Sequence, residues 1–172
     1  VVGIILFGLK ALLTVAVCVG TAVLSEFLFN LIVKKKQTVG DLSAVVTGLL
    51  LALTLPAKAG IFECIVGSVF AIVVVKCLFG GIGCNFANPA MTARIVLLVS
   101  FAGQMSKYVS PIDAISSATP LAHEATYTLK QLFFVMHGGA IGETSSFLLI
   151  IGGIYLVIRR VIKPIIPVAF IG

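Results

Sequence analysis

A short cluster of hydroxyl-bearing residues is the segment of this chain best suited to chemistry. Residues 113–120 read Asp-Ala-Ile-Ser-Ser-Ala-Thr-Pro and lie in the longest polar interval, about residues 103 to 130, of an otherwise apolar sequence. Thr119 precedes a proline, which pushes its backbone out of the α region toward an extended shape. An extended segment with small neighbours could lie in the cleft of a modifying enzyme and present the Thr119 hydroxyl. A solvated Ser/Thr turn with no chemical role is the simpler alternative.

A glycine-rich stretch, residues 80–89, is the second candidate site. It contains Asn85, Asn88 and Pro89, and a regular helix would not tolerate it. Unwound backbone at membrane depth must line a cavity or a ligand, because unpaired backbone groups in lipid cost several kcal/mol each. The amide side chains could line such a cavity or ligand site, or they could cap helix ends in an ordinary interhelical turn. The sequence leaves both alternatives open.

Ionisable residues inside or near apolar runs are the third set of candidates. They are Glu26, Asp41, Glu63, Arg94 and Glu143. Charge within a membrane is a functional hypothesis by default, since it costs roughly 2.5–3.5 kcal/mol on insertion scales. Each of these residues lies near a predicted span end, where we expect headgroups or water to solvate it. Asp41 and Glu143 are the candidates for an ion path.

The composition bounds the fold class. Of 172 residues, 60% are hydrophobic and 10% are charged, whereas soluble domains are about 45–50% apolar and about 25% charged. We therefore predict an all-α, polytopic transmembrane helical bundle, a single membrane domain over residues 1–172. The first residue is valine and the last apolar run stops abruptly, so we interpret the chain as an internal part of a longer protein. The four cysteines show no CxxC spacing, and packed thiols rather than a metal site are expected.

Five apolar runs are predicted to form the helices. They cover about residues 9–33, 42–55, 61–79, 90–102 and 131–158. The second run is about 14 residues, or roughly 21 Å of helix, short for a hydrocarbon core of about 30 Å. The fourth is equally short. Two short runs interrupted by Gly and Pro are typical of broken helices around a buried site.

A weak similarity between two short segments of the chain suggests an inverted repeat. Gly-Asp-Leu-Ser-Ala at residues 40–44 opens one apolar run, and Gly-Glu-Thr-Ser-Ser at residues 142–146 opens another. Inverted repeats with discontinuous helices are also typical of transporters. We therefore predict a duplicated architecture. This architecture does not by itself show whether the protein is a transporter.

The charge distribution predicts the orientation. Basic residues cluster at helix ends, which is what headgroups and the insertion machinery select, so the net charge of +6 does not indicate nucleic acid. With the triple lysine at 34–36 in the cytoplasm, the inner side collects eight basic residues and the outer side four. This bias places the polar loop at about 103–130 outside. If neither short run crosses fully, two crossings vanish and the loop stays outside.

Several motifs resemble one family of membrane flavoproteins. Asp-x-x-Ser-Ser-Ala-Thr from Asp113 to Thr119 resembles the signal at which a flavin transferase attaches FMN to threonine through a phosphoester bond, with Ser117 where glycine is common. Residues 39–53, 80–91, 142–145 and 166–172 match the same family, over essentially the whole chain. The chain is similar to RnfD proteins, which belong to the Rnf complex, an ion-translocating ferredoxin:NAD oxidoreductase. It is also similar to the related NqrB proteins of the sodium-pumping NADH:quinone reductase.

The resemblance implies a redox role. FMN would be attached to Thr119, with Asp113, Ser116, Ser117 and Ala118 as determinants for the transferase. A second, non-covalent flavin, riboflavin or FMN, would lie near Asn85, Asn88 and Pro89. The cofactor carries the electron chemistry while the protein tunes its potential and orientation.

The implied partners are the other Rnf proteins and the bilayer. They are the membrane proteins RnfA and RnfE, the flavoprotein RnfG, and the iron–sulfur and NADH proteins RnfB and RnfC. The location would be the prokaryotic cytoplasmic (inner) membrane, with the flavin loop on the periplasmic side. Electron flow would be coupled to Na⁺ or H⁺ transport, and the chain would act only as one part of this multi-protein enzyme. A solute transporter or channel, and a passive scaffold, are the competing functions.

Overall fold

The computed structural model describes residues 7–106, 108–109, 116–117, 139–142 and 146–165. Helix α1 spans Leu9–Ile32, and a 3₁₀ turn at Val39–Asp41 leads to α2, Ser43–Thr54. Helix α3 spans Ile61–Val69 and continues as a π-helical segment, Phe70–Cys77. Helices α4, α5 and α6 span Pro89–Ser100, Ala102–Met105 and Ser146–Ile158. Strands β1 (Tyr108–Val109) and β2 (Ser116–Ser117) are two residues each and pair antiparallel.

Helix boundaries follow local sequence signals. Helix α1 ends at the triple lysine, where Lys34 adopts a left-handed φ of 56°. Helix α2 ends just before Pro56, as expected of a residue whose ring disfavours helix at the preceding position. Helix α4 begins with Pro89 at its first turn and is capped by Asn88, whose side chain accepts from the amide of Ala90 at 3.1 Å.

The predicted runs match these helices closely, with two corrections. The third helix continues regularly only to Val69 and widens into the π segment, which ends at Cys77. The continuous run predicted from residue 131 to 158 is wrong at residues 139–142, where Ala140 forms an antiparallel bridge with Pro56. Backbone amides of Ile141 and Gly142 bond carbonyls at the end of α2 instead of their own segment.

Helices α1 to α4 form the bundle. Helix α1 packs against α2, α3 and the π segment, and α4 packs against α2, α3 and the π segment. At the α1–α2 crossing, a Cβ on Gly48 would lie 2.9 Å from the backbone oxygen of Cys18, so only glycine permits this approach. The main core cluster comprises Cys18, Leu51, Ala52, Leu55, Cys64, Ala71, Ala90, Ala93, Leu97 and Met105.

The outer surface of the bundle is apolar. Leu24, Phe27, Leu28 and Leu31 of α1 are all exposed, which suits contact with lipid tails. By length and composition, α1 is the one helix among the described residues that can cross a membrane unaided. Helices α2 and α4, with 12 residues each, are the predicted short helices.

The chain direction divides the bundle into two ends. The lysine end holds the end of α1, the start of α2, the end of the π segment and the start of α4. At the opposite end, the Phe62 and Phe101 rings contact each other with centroids 6.0 Å apart, and the Ile141 amide bonds the Leu55 carbonyl at 3.1 Å. The described flanks of the polar interval therefore lie at the end of the bundle opposite the triple lysine.

Candidate functional site

A buried ion pair joins the first helix to the π segment at the lysine end. Lys76 Nζ lies 2.8 Å from Glu26 Oε1, and the two residues are 2% and 1% exposed. Two charges withdrawn from water in this way must pair closely, because an unpaired buried charge costs several kcal/mol. The prediction that headgroups or water solvate Glu26 at a span end is wrong, since its counter-charge comes from the protein.

Hydroxyl and amide groups extend the ion pair into a network. The Thr38 hydroxyl donates to Glu26 Oε1 at 2.7 Å, and the Asn30 amide donates to Thr38 Oγ1 at 3.0 Å. On the other side, Lys76 Nζ also donates to Ser43 Oγ. The network thus collects groups from α1, the α1–α2 connection, the start of α2 and the π segment.

Asp41 completes the network at the surface. Its Oδ1 accepts from the Ser43 hydroxyl at 2.5 Å and from the Ser43 amide at 2.8 Å, so one hydroxyl connects it to Lys76. These two bonds, with a smaller contribution from the Lys76 charge, hold the pKa of the Asp41 carboxyl below its ordinary value. Asp41 is exposed. The predicted ion-path candidate is therefore linked to a buried carboxylate through a serine and a lysine.

A small cavity adjoins the ion pair. Its volume is about 70 Å³, and the residues that line it include Glu26, Asn30, Lys35, Lys36, Thr38, Cys77 and Gly80. A water needs roughly 10–15 Å³ on this measure, so the cavity has room for a few waters or a partly hydrated cation. Glu26 Oε2 is buried and has no hydrogen-bond partner among the described protein residues.

The π-helical geometry positions the lysine. Single π turns inside α-helices occur frequently at functional sites, because the wider turn shifts the residues after it. Lys76 is the penultimate residue of this segment, and the amide of Gly81 bonds its carbonyl at 3.0 Å. Glycines with positive φ at 80, 81 and 83 follow, so the glycine-rich stretch lies beside the ion pair.

The residues of the predicted second flavin site differ in their hydrogen bonds. Asn88 and Pro89 form the ordinary start of α4, with the Asn88 side chain bonded to the Ala90 and Met91 amides. Asn85 differs, since its Oδ1 is buried and has no partner among the described residues. Capping therefore accounts for Asn88 and Pro89, whereas Asn85 retains an acceptor suited to an N–H donor.

The flavin attachment motif lies mostly outside the described residues. Asp113, Ala118 and Thr119 fall there, as does Glu143. Ser116 and Ser117 form strand β2, paired with Val109 and Tyr108. The extended backbone predicted for this stretch is thus present two residues before Thr119.

The other two ionisable candidates do not join the network. Glu63 is 4% exposed in the first turn of α3, at the opposite end of the bundle, with its carboxylate against Gly60. Its predicted solvation is also wrong. Arg94 Nη1 lies 3.1 Å from the Met105 sulfur.

Lys76 is the member of the candidate site that sequence reasoning missed. The sequence pattern identifies it only as one of the inner basic residues. A lone lysine within an apolar run is nevertheless a usable signal, because such a charge requires a partner in the bundle.

Comparison with known proteins places this architecture. The sequence model described as the NQR2, RnfD, RnfE family matches residues 1–172. The chain belongs to this family. The resemblance drawn from the flavin motif and the other matching stretches is thereby confirmed. NQR2/RnfD/RnfE proteins are membrane proteins, which agrees with the apolar surface of the bundle.

Individual family members support the assignment. The D subunit of the Na(+)-translocating ferredoxin:NAD(+) oxidoreductase complex of Acetobacterium woodii is 44% identical over 175 residues, covering 96% of this chain and 55% of the relative. The D subunit of the proton-translocating ferredoxin:NAD(+) oxidoreductase complex of Clostridium ljungdahlii is 35% identical, and the match covers 100% of this chain and 57% of the relative. The D subunit of the ion-translocating oxidoreductase complex of Rhodobacter capsulatus is 37% identical, and the match covers 77% of this chain and 47% of the relative. The chain thus spans about half the length of these curated relatives.

Proposed function

We propose that this chain is the membrane flavoprotein part of an RnfD protein in an ion-translocating ferredoxin:NAD⁺ oxidoreductase complex of the Rnf type. The observation that carries the proposal is the family match over residues 1–172 together with 44% identity to the D subunit of such a complex. The chain acts within a complex whose other proteins handle ferredoxin and NAD⁺. RnfA, RnfB, RnfC, RnfE and RnfG are its expected partners, and the bacterial cytoplasmic membrane is its location.

FMN is attached to Thr119 in this proposal. Two features of the chain fit that group: the extended backbone at Ser116 and Ser117, and an acceptor threonine two residues further along. Asp113 and Ala118, with the two serines, complete the signal that a flavin transferase would recognise. When bound, FMN supplies one- or two-electron transfer through its ring. A second flavin would use the buried Asn85 oxygen as an acceptor.

The buried charge network is the candidate for coupling. Glu26 and Lys76 lie at the end of the bundle opposite the flanks of the flavin loop, and Asp41 connects them to the surface. Ionisable groups inside membrane proteins are rare, and they mark ion pathways and proton relays. We assign this network to the cation path, with Na⁺ or H⁺ as the cation. The relatives include a Na(+)-translocating and a proton-translocating complex.

The test uses the assembled complex in inverted membrane vesicles. Ferredoxin-dependent NAD⁺ reduction and cation uptake are measured together for the wild type, Thr119→Val and Glu26→Gln. We expect Thr119→Val to abolish both, because the electron path is interrupted. Glu26→Gln is expected to lower cation uptake more than electron transfer. Wild-type electron transfer in Thr119→Val, in a complex shown to be fully assembled, would contradict the redox role and favour a transporter or scaffold.

A further inference from the structure

The Lys76 ammonium is connected to two carboxylates, one buried and one exposed. It bonds Glu26 directly and reaches Asp41 through the Ser43 hydroxyl. We propose that Lys76 exchanges between Glu26 and Asp41, and that each departure from Glu26 requires this carboxylate to bind one monovalent cation. This inference rests on the proposed function, because it specifies how the charge network works as part of a cation path.

The local structure permits the movement. Lysine carries a point charge with three donors on a flexible four-carbon stem, so it can change acceptors without a backbone shift. Lys76 already divides its bonds between Glu26 and Ser43. Ser43 donates onward to Asp41, so the exchange replaces a bridged contact by a direct one.

Charge balance requires that a cation replaces Lys76 at Glu26 when the lysine moves away. With Lys76 on Glu26 the buried region is neutral, and Asp41 is stabilised by Ser43 and exposure to the surface. After Lys76 moves to Asp41, Glu26 would be an isolated buried carboxylate, which costs far more than a paired one. One Na⁺ or one H⁺ must therefore take the place of the ammonium.

The surroundings of Glu26 suit a replacement cation. Its Oε2 has no partner among the described residues. The adjoining cavity of about 70 Å³, which Thr38 and Asn30 also line, provides room. Lys35 and Lys36 also line this cavity, and their charge opposes a resident cation. Weak binding is what transport requires, since a transported ion must leave as well as arrive.

The test measures the protonation of Glu26 directly, without turnover. Dicyclohexylcarbodiimide modifies protonated carboxyl groups in apolar surroundings, and peptide mass spectrometry of the complex quantifies the adduct on Glu26. Glu63, buried at the other end of the bundle, serves as an internal reference. In the wild type, labelling requires Lys76 to leave Glu26, so its rate reports the exchanged state.

We expect Asp41→Asn to slow labelling of Glu26 several-fold relative to Glu63, because Lys76 loses its second acceptor. Asp41→Glu keeps that acceptor, so Glu26 should be labelled at nearly the wild-type rate in this variant. In Lys76→Met, Glu26 should be labelled much faster than in the wild type. Suppression of labelling by Na⁺ identifies Na⁺ as the replacement, and suppression only by raised pH identifies H⁺.

Equal Glu26 labelling in the wild type and Asp41→Asn would overturn the exchange, even if Lys76→Met failed to fold. The assay needs neither flavin nor ferredoxin, so its outcome is separable from the proposed redox function. If Glu26 labelling follows the expected pattern but the complex transfers no electrons, only the proposed redox function is contradicted.

Discussion

Lys76 and Glu26, fifty residues apart in the chain, meet at 2.8 Å inside the bundle. The contact ties α1 to the π segment. Replacing one partner of such a pair leaves an uncompensated buried charge or its unsatisfied partner, whereas replacing both is often nearly neutral. We expect Glu26→Gln and Lys76→Met each to lower the free energy of unfolding by about 3–5 kcal/mol, and the double variant to recover most of the loss.

A double-mutant cycle checks this prediction. The full-length protein is unfolded by titration with a denaturing detergent from a mild one, and the four unfolding free energies are compared. Additive losses in the double variant would show that the two side chains do not interact.

The α1–α2 crossing depends on Gly48. An added Cβ would lie 2.9 Å from both the Cys18 carbonyl oxygen and the Val19 Cα, and backbone atoms cannot turn aside. We expect Gly48→Ala to destabilise the protein by about 1–3 kcal/mol, the usual cost of overpacking. Gly20→Ala on α1 is the matched control, because nothing lies within 4 Å of its Cβ position. Thermal unfolding in detergent should separate the two variants, and equal behaviour would contradict the close crossing.

Cys18 and Cys64 connect α1 to α3. Both side chains are buried in the same core cluster. We expect a membrane-permeant oxidant such as diamide to join them in a disulfide, detected by mass spectrometry of unreduced peptides. Cys84, which is exposed, serves as the comparison: a Cys18–Cys84 or Cys64–Cys84 product in place of the expected one would contradict this packing. Cys18→Ser should abolish the expected product.

Asp41 makes the stability of the lysine end depend on pH. Bonds from the Ser43 hydroxyl and amide, with a smaller contribution from the Lys76 charge, lower the pKa of this carboxyl in the folded protein. Its contribution is therefore fully present above the unfolded pKa of about 3.9 and is lost as pH falls through the lower folded value. The difference in unfolding free energy between the wild type and Asp41→Asn should shrink on acidification below that range. A difference that grows on acidification would contradict the assignment.

Much of the helical architecture was predictable from the sequence, because each boundary carries a strong local signal. The triple lysine ends α1, Pro56 follows α2, and Asn88 with Pro89 begins α4. The inverted repeat suggested by residues 40–44 and 142–146 stays a prediction, because residues 143–145 lie outside the described part of the chain. The break at residues 139–142 carried no comparable signal, because its hydrogen bonds go to α2, far away in sequence.

The candidate site was only half predictable. Asp41 is identifiable from its position before an apolar run, but its connection to Glu26 depends on Lys76, which packing brings together across fifty residues. Local sequence cannot show whether a carboxylate near a span end meets water or an ammonium. The flavin attachment at Thr119 rests on the opposite kind of signal, a local motif that needs no tertiary contact, and it stays a prediction.

The most direct test of the proposed redox function is the mass of the peptide that contains Thr119. The full-length protein is produced with its flavin transferase, and the segment between Met105 and Lys130 is sequenced by mass spectrometry, with Thr119→Val as control. Covalent attachment predicts the added mass of one FMN less one water on Thr119, absent from the control. An unmodified Thr119, in cells where the same transferase modifies another substrate, would contradict the assignment of this chain as a covalent flavoprotein.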